Sequence, residues 1–185
     1  KDFVVGYEAG HFNHIERTFS GQLASFNTNT KDSLDGTHLL PFIPLGGTYV
    51  KLDFDDFVRT FHQQHPYAII HNAEVVMPVE TTSSSMPSQI IGRLSRSEGD
   101  YLPDLTDAFT HQAFDGSFHY GTKCYRLRVT QHLQKAISQG HHEGTYLYIN
   151  SRRYSPKWVT VNGSDPAKTN NNPIRIEFVY SEPEI

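Results

Sequence analysis

Histidines are the first residues of this sequence to consider for chemistry, because they are numerous and several are paired. Eleven occur in the chain, with close spacing in His11/His14, His62/His65 and His141/His142. A zinc site needs three or four ligands that converge at about 2 Å. On a helix, His62 and His65 are the best placed to share an ion, but Pro66 draws His65 out of helical geometry. We therefore predict no metal site, and the sequence indicates no other cofactor.

Two groups of carboxylates offer acid–base chemistry or calcium binding. Residues 53–56 hold three aspartates, and residues 100–107 hold three more. Two acids that hydrolyse a glycoside must face each other across roughly 5 to 9.5 Å, which spacing along the chain does not establish. The first group fits a helix N-terminus, where carboxylates are favoured. The second, with Asp115, stays open as a calcium loop, although the EF-hand spacing is absent.

Motifs of nucleophilic or nucleotide-dependent catalysis do not occur in the sequence. There is no G-x-S-x-G elbow, P-loop or dinucleotide-binding glycine pattern. Serines are frequent, but none lies in the context of a nucleophile. We therefore predict no catalytic residues and a protein that is not an enzyme.

Aromatic side chains are the better candidates for binding a ligand. One set lies in a predicted loop over residues 101–120, and a second lies on and near predicted strands between residues 146 and 158. Aromatic rings beside amide or carboxylate groups suit sugar rings or a protein partner. The alternative is that several of the loop rings are buried beneath the loop as a small separate core. The predicted ligand-binding residues are Tyr101, Phe118, Tyr120, Tyr146, Tyr148 and Trp158.

Composition limits the classes of protein and partner. The chain has 185 residues and a net charge of −4, and its lysines and arginines form no basic run. We predict no nucleic-acid partner, since phosphate binding needs clustered positive charge. No stretch approaches the roughly 20 apolar residues of a membrane-spanning helix. Cys124 is the only cysteine, so it forms no disulfide within the chain, and we expect a small buried apolar residue there.

Hydrophobic periodicity predicts the elements that position these residues. Apolar side chains at positions 54, 57, 58 and 61 follow the helical pattern after an aspartate cap, and Pro66 ends that helix after about Gln64. A second helix begins with a Thr130 cap and ends at Gly140. Strands are predicted over residues 3–7, 48–54, 68–79, 90–94, 125–129, 145–149, 157–161 and 173–180, with a weaker one near 22–26.

The last predicted strand shows the clearest alternation. Ile174, Ile176 and Phe178 point to one face, and Arg175 and Glu177 point to the other. An antiparallel strand with one buried face requires this pattern. Since no long helix separates the strands, a parallel βαβ fold is disfavoured. We predict an all-β fold for residues 1–185: a single antiparallel β-sandwich domain with jelly-roll-like connections and two short helices.

Four segments occur in an order that resembles a known family. They are PLGGTYVKLDF (44–54), AIIHNAEVVMPV (68–79), YRLRVTQHLQKAISQG (125–140) and NPIRIEFVYS (172–181). Over roughly residues 45–181 the chain is similar to the C-terminal portion of a Bacteroidota family of exported lipoproteins of unknown function. That family shows an INKAELV-like strand, here from Ile70, an FNITRYVQ-like step from strand to helix, here from Arg128, and a closing P-x-L-x-I-x-Y strand, here from Pro173.

The resemblance implies a location and a general role. It implies an extracytoplasmic, outer-membrane-associated protein at the cell surface, with any lipid anchor upstream of Lys1 and with residues 1–44 as the end of a longer N-terminal half. It supplies no catalytic residues. We therefore expect a non-catalytic module that docks a protein partner in an outer-membrane or cell-surface assembly. Some jelly-roll modules with a similar last strand bind surface polysaccharide, so a carbohydrate-binding module is the alternative. A surface glycan-processing enzyme is a second alternative.

A short modification pattern occurs near the N-terminal end of the sequence. Asp32-Ser33-Leu34 matches the Asp-Ser/Thr-aliphatic pattern on which exported Bacteroidota proteins carry O-linked glycan. Under the resemblance, this predicts glycosylation of Ser33. A pattern of three residues also arises by chance, so a mass shift on Ser33 in native material decides between the two explanations.

Overall fold

The computed structural model of the chain describes residues 36–42, 50–80, 86–94, 105, 107, 116–142, 145–149 and 157–183, with the backbone alone for residues 145–149. All of these belong to the unit Gly36–Ile185. The strands predicted at residues 3–7 and 22–26 and the glycosylation predicted at Ser33 lie outside the described residues.

Strands make up most of the regular structure in the described part of the chain. The elements, in order along the chain, are β1 (Leu39–Phe42), β2 (Val50–Leu52), α1 (Asp55–Gln64), β3 (Ile69–Pro78), β4 (Ile90–Leu94), β5 (Phe118–His119), β6 (Cys124–Arg128), α2 (Thr130–Gln139), β7 (Thr145–Ile149), β8 (Val159–Asn162), a 3₁₀ helix (Pro166–Lys168) and β9 (Arg175–Ser181).

The strands form three antiparallel sheets. Their strand orders are β1-β8, β2-β7-β4 and β5-β6-β3-β9. An isolated bridge between Val79 and Val161 joins the end of β3 to β8, and a second joins Gln89 to Ser117. The predicted all-β, antiparallel, sandwich-like class with two short helices is confirmed, and the sheets do not close on one another.

Both helices form where periodicity predicts them. On α1 the apolar stripe buries Val58 and Phe61, and the helix ends at Gln64, ahead of Pro66. On α2 the buried side chains include Leu133, and Gly140 follows the helix in the left-handed conformation, with φ of 69°. Glycine adopts this conformation without the steric cost that a Cβ imposes, so α2 ends there.

The N-terminal cap of α2 differs from the prediction. Thr130 begins the helix but does not cap it, because its hydroxyl accepts the Ala73 N–H at 3.0 Å instead. The cap comes from Asp107, whose two carboxylate oxygens accept the N–H groups of Gln131 and His132, each at 2.9 Å. Asp107 is completely buried. The described role of this aspartate is therefore that of a helix cap, and the other carboxylates of the proposed calcium loop lie outside the described residues.

One continuous core cluster includes residues from all three sheets and both helices. Directly opposed residues on paired strands point to the same face, and Val75 lies opposite Leu127 while Met77 lies opposite Tyr125. All four side chains are buried, so this is the core face of the four-stranded sheet. The Tyr125 hydroxyl donates to the Pro87 carbonyl at 2.7 Å, and burial raises the pKa of the Tyr125 phenol.

Strand ends deviate from prediction where backbone hydrogen bonds go elsewhere. β9 begins at Arg175 rather than at Pro173, because the Ile174 N–H donates to the Gly163 carbonyl. β3 carries an irregularity between Ile70 and Asn72, where its register with β9 shifts. Such a bulge leaves one extra residue unpaired in the ladder.

The single cysteine, Cys124, is buried, as predicted, and its thiol is free.

Candidate docking surface

Strand β9 is the outer strand of the four-stranded sheet. Among the described strands, it pairs with β3 alone. Alternation places Ile176 and Phe178 on the core face, where they pack against the core cluster, and Arg175 and Glu177 on the opposite face. A strand at the edge of a sheet presents its outward backbone N–H and C=O groups to whatever lies beside it.

The hydrogen bonds of β3 show which groups of β9 face outward. Ala73 uses its N–H and its C=O away from β9: the N–H donates to Thr130, and the C=O accepts from the Val129 N–H at 2.9 Å. In an antiparallel ladder, two opposed residues either turn their backbone groups towards each other or both turn them away. Phe178 lies opposite Ala73, so its N–H and C=O face outward. By alternation, those of Ile176 face outward as well.

The two ends of β9 define how far this edge is open. The Ile70 N–H donates to the side chain of Gln134 at 2.7 Å, so Tyr180, which lies opposite Ile70, also faces outward. At the other end, Ile174 belongs to the same outward series, but its N–H is used by Gly163 at 2.9 Å. Within the described part of the chain, no hydrogen bond reaches the outward groups from position 176 to Tyr180.

Exposed apolar side chains concentrate around this open edge. Of the seven large apolar side chains that are exposed among the described residues, five lie at this end of the sheet. We call these five residues the β9 rim: Phe57, Tyr67, Ile69, Val179 and Tyr180. Ile69 lies opposite Ser181 at the start of β3. On α1, Phe57 contacts Phe178 with ring centroids 5.6 Å apart, so the rim continues from the sheet onto the helix.

The β9 rim was not predicted from the sequence, although one signal was present. Val179 follows Arg175 and Glu177 in the alternation, at a position where a polar residue is expected. It is 59% exposed, and Ile69 is 50% exposed. An apolar residue on the polar face of a half-buried strand contributes nothing to the core, and several such residues grouped into one patch mark a surface contact.

Ion pairs on the face opposite the core hold β9 to the sheet. Arg126 of β6 donates to Glu74 of β3 at 2.7 Å and to Glu177 of β9 at 2.6 Å. Arg175 donates to Glu177 at 2.9 Å. The hydrogen bond to Glu74 is the main reason that the pKa of Arg126 is raised. Within the part of the chain that the structure describes, the strand is therefore anchored on its inner side and unpaired on its outer side.

Three of the predicted ligand-binding residues have described side chains. Phe118 is half-buried and packs on Tyr125 with ring centroids 5.1 Å apart, so it belongs to the margin of the core. Tyr120, in the turn after β5, is 87% exposed, and Trp158, just before β8, is 58% exposed. The rings of Phe118 and Tyr120 are inclined at 84°. These two rings therefore do not form a flat platform.

The other three predicted ligand-binding residues have no described side chain. Tyr101 lies outside the described residues. Tyr146 and Tyr148 lie on β7, whose predicted bounds are confirmed. β7 is the central strand of its sheet, and Tyr146 is paired in register with Lys51 on one side and Arg93 on the other.

A buried histidine pair links the two helices. The Nε2 atoms of His132 on α2 and of His142 just after it are 3.0 Å apart. The Phe54 backbone N–H, at the start of α1, donates to His142 Nδ1 at 3.4 Å, and the Phe54 ring stacks on His142 at 3.5 Å. Because a backbone N–H only donates, Nδ1 is an acceptor in the neutral ring. The His142 proton therefore lies on Nε2 and is donated to His132.

The surroundings of His142 favour its neutral form. Burial, followed by the proximity of His132, lowers its pKa to about 4, while Asp53 and Asp55 act in the opposite direction. The His142 backbone N–H donates to Asp55 at 2.8 Å. That hydrogen bond and the Arg59 guanidinium lower the pKa of Asp55. The pair therefore links the start of α1 to the end of α2, with His142 in its neutral form.

The histidine pair does not have the arrangement of a metal site. Across the described ranges, no group of three or more His, Cys, Asp or Glu side chains could hold a metal ion. His65, one of the residues considered from the sequence, instead contacts Glu182 at 2.6 Å.

The chain matches no protein-family model and no curated protein. Among the helices that the structure describes, none is long and apolar enough to cross a membrane.

Proposed function

We propose that this chain is a non-catalytic module that docks a protein partner in an outer-membrane or cell-surface assembly. The observation that carries the proposal is the β9 rim, which groups large apolar side chains around an open sheet edge. Grouped aromatic and aliphatic side chains at a surface are typical of protein contacts. Tyr67, which is 64% exposed, is a residue type enriched at the centre of such contacts.

The cellular setting of the proposal comes from the resemblance of residues 45–181 to exported lipoproteins. In that setting the module is extracytoplasmic, associates with the outer membrane through an upstream lipid anchor, and meets another outer-membrane or surface protein. The rim suits this role because a partner that covers Tyr67 and Ile69 buries apolar surface without disturbing the core.

Carbohydrate binding is the second candidate function, and it is favoured by a different observation. Among the residues whose side chains the structure describes, Tyr120 and Trp158 are the two exposed large aromatic residues that lie away from the β9 rim. Exposed rings of this kind stack on sugar faces. Phe118 and Tyr120 are inclined at 84° and form no flat platform for a glycan chain, which favours the protein-docking function over this one.

The test of protein docking is an affinity capture from detergent-solubilised outer membranes, followed by mass spectrometry. The tagged chain is compared with a Tyr67→Ser/Ile69→Ser variant and with a matched Trp158→Ser variant, which removes an exposed ring elsewhere. We expect a defined membrane or surface protein that is recovered by the unchanged chain and by Trp158→Ser but lost by the double variant. Recovery that is equal for all three, or no recovery at all, contradicts docking of another membrane or surface protein through the rim.

A glycan array tests the second candidate with the same preparations. Binding that is lost in Tyr120→Ala and Trp158→Ala but kept in the Tyr67/Ile69 double variant assigns the module to carbohydrate. Absence of binding by the unchanged chain removes that candidate.

A further inference from the structure

The open edge of β9 restricts the kind of molecule that can cover it. Three residues in alternation, Ile176, Phe178 and Tyr180, present backbone N–H and C=O groups in one plane. Their natural complement is another extended strand, which offers the same groups at the same spacing. Proline and lysine, two residue types that block such pairing in natural edge strands, do not occur from Arg175 to Ser181.

The edge is complementary to itself in one antiparallel register. If two copies of β9 run antiparallel about a twofold axis at Phe178, then Phe178 faces its own copy and Ile176 faces Tyr180 of the other chain. Every outward residue then meets an outward residue, as a hydrogen-bonded ladder requires. A register centred on Glu177 places Tyr180 opposite Ile174, whose N–H is already used by Gly163. A register centred on Val179 places Ile176 opposite residue 182, beyond the end of β9.

Charges on the opposite face select the same register. With the axis at Phe178, Glu177 lies opposite Val179 of the second copy, and Arg175 lies opposite Ser181. No like charges are directly opposed. With the axis at Glu177, the two Glu177 carboxylates would lie opposite each other, which is unfavourable in a cross-strand pair.

We propose that a second copy of this chain pairs with β9 along its open edge, antiparallel and centred on Phe178, to make one continuous sheet across two chains. The proposal rests on the proposed function, since it takes the β9 rim to be a docking surface, and it names a second copy of the chain as one molecule that docks there. In this register the apolar side chains of Ile176 and Tyr180 meet across the interface on the core face, and the exposed Val179 is covered on the opposite face.

Sedimentation equilibrium of the purified chain, with opposite charges introduced at Val179, tests both the pairing and its register. Val179→Glu places a carboxylate opposite Glu177 of the second copy, whereas Val179→Lys places an ammonium there. Because each contact occurs twice in the dimer, we expect Val179→Glu to weaken association roughly two- to thirtyfold, and Val179→Lys to leave it unchanged or tighter. Val179 is exposed, and urea unfolding of both variants confirms that they fold.

Three results overturn the proposal. They are a chain that stays monomeric at all concentrations, an equal effect of Val179→Glu and Val179→Lys, and a difference between Trp158→Glu and Trp158→Lys, at an exposed site outside β9, that is as large as the difference at Val179.

Amide hydrogen exchange gives an independent signature of the pairing. In dilute solution, the amides of Ile176, Phe178 and Tyr180 should exchange rapidly, while that of Glu177, which faces β3, is protected. At high concentration, the three outward amides should become protected together. Outward amides that remain unprotected while the chain associates place the interface elsewhere and overturn the proposal.

Failure of self-pairing and failure of protein docking give different results. A monomeric chain that still captures a membrane protein through Tyr67 and Ile69 removes the second copy as the partner and leaves the proposed function in place. A dimer with the predicted register that captures no other protein supports the self-pairing and contradicts docking in a wider assembly.

Discussion

The buried His132–His142 pair predicts a loss of stability as the pH falls from neutral towards 4. His142 has a pKa of about 4 in the folded protein, against an ordinary value of 6.5. Between these two values the unfolded chain binds a proton that the folded protein does not, so the free energy of unfolding rises with pH across this window. The contribution is fully present above pH 6.5 and is lost as the pH falls to about 4.

The size of the effect follows from the pKa difference. Each pKa unit corresponds to about 1.4 kcal/mol. Between pH 6.5 and pH 4, protonation of His142 in the unfolded chain alone therefore lowers the free energy of unfolding by about 3 kcal/mol. The physical cause is burial: a charged ring at this position would lose its water and lie beside a second imidazole. For a small domain, this is a large share of the total stability.

Urea unfolding at a series of pH values measures the contribution directly. His142→Gln removes the titrating ring. Between pH 4 and 6.5 it should reduce the slope of the unfolding free energy against pH by the amount that corresponds to nearly one bound proton. His141→Gln is the matched control, because His141 is exposed, and it should leave the slope unchanged. An unchanged slope in His142→Gln, or an NMR titration of His142 with a midpoint near 6.5, refutes the reasoning.

Two further predictions concern single contacts of the fold. Asp107→Ala leaves two N–H groups at the start of α2 without their acceptors and should lower the free energy of unfolding by roughly 1–3 kcal/mol; Asp107→Asn keeps one acceptor and should cost less in the same urea assay. Gly116→Ala should be strongly destabilising, because φ is +57° and the new Cβ would lie 1.9 Å from the Ile90 carbonyl oxygen. Gly121→Ala, where a Cβ meets nothing within 4 Å, should leave the thermal midpoint nearly unchanged, and equal shifts in the two glycine variants would contradict this explanation.

Local patterns predicted the elements well because each pattern depends on neighbours along the chain. The apolar stripe of α1 and the glycine after α2 lie within one or two helical turns, so the sequence contains all that is needed to place them. The alternation of β9 likewise predicted that Ile176 and Phe178 pack against the core and that Arg175 and Glu177 face away from it. The structure confirms each of these expectations.

Contacts between distant parts of the chain escaped prediction. Asp107 was considered as a calcium ligand, because nothing in its neighbourhood shows that the start of α2 folds against it. His142 was considered as half of an adjacent histidine pair, whereas its ring partner is His132. In both cases the residue type signalled a polar role, and the partner depends on how separate segments meet.

The sequence by itself determined the type of each element and the face to which its side chains point, because side-chain direction repeats with the local period of the backbone. Only the tertiary structure decided that β9 lies at the edge of its sheet and that its backbone groups from Ile176 to Tyr180 are open. Backbone N–H and C=O groups lie in the plane of the sheet and are the same for every residue type except proline. Their partners are therefore set by which strand lies alongside, and no side-chain pattern within the strand records that choice.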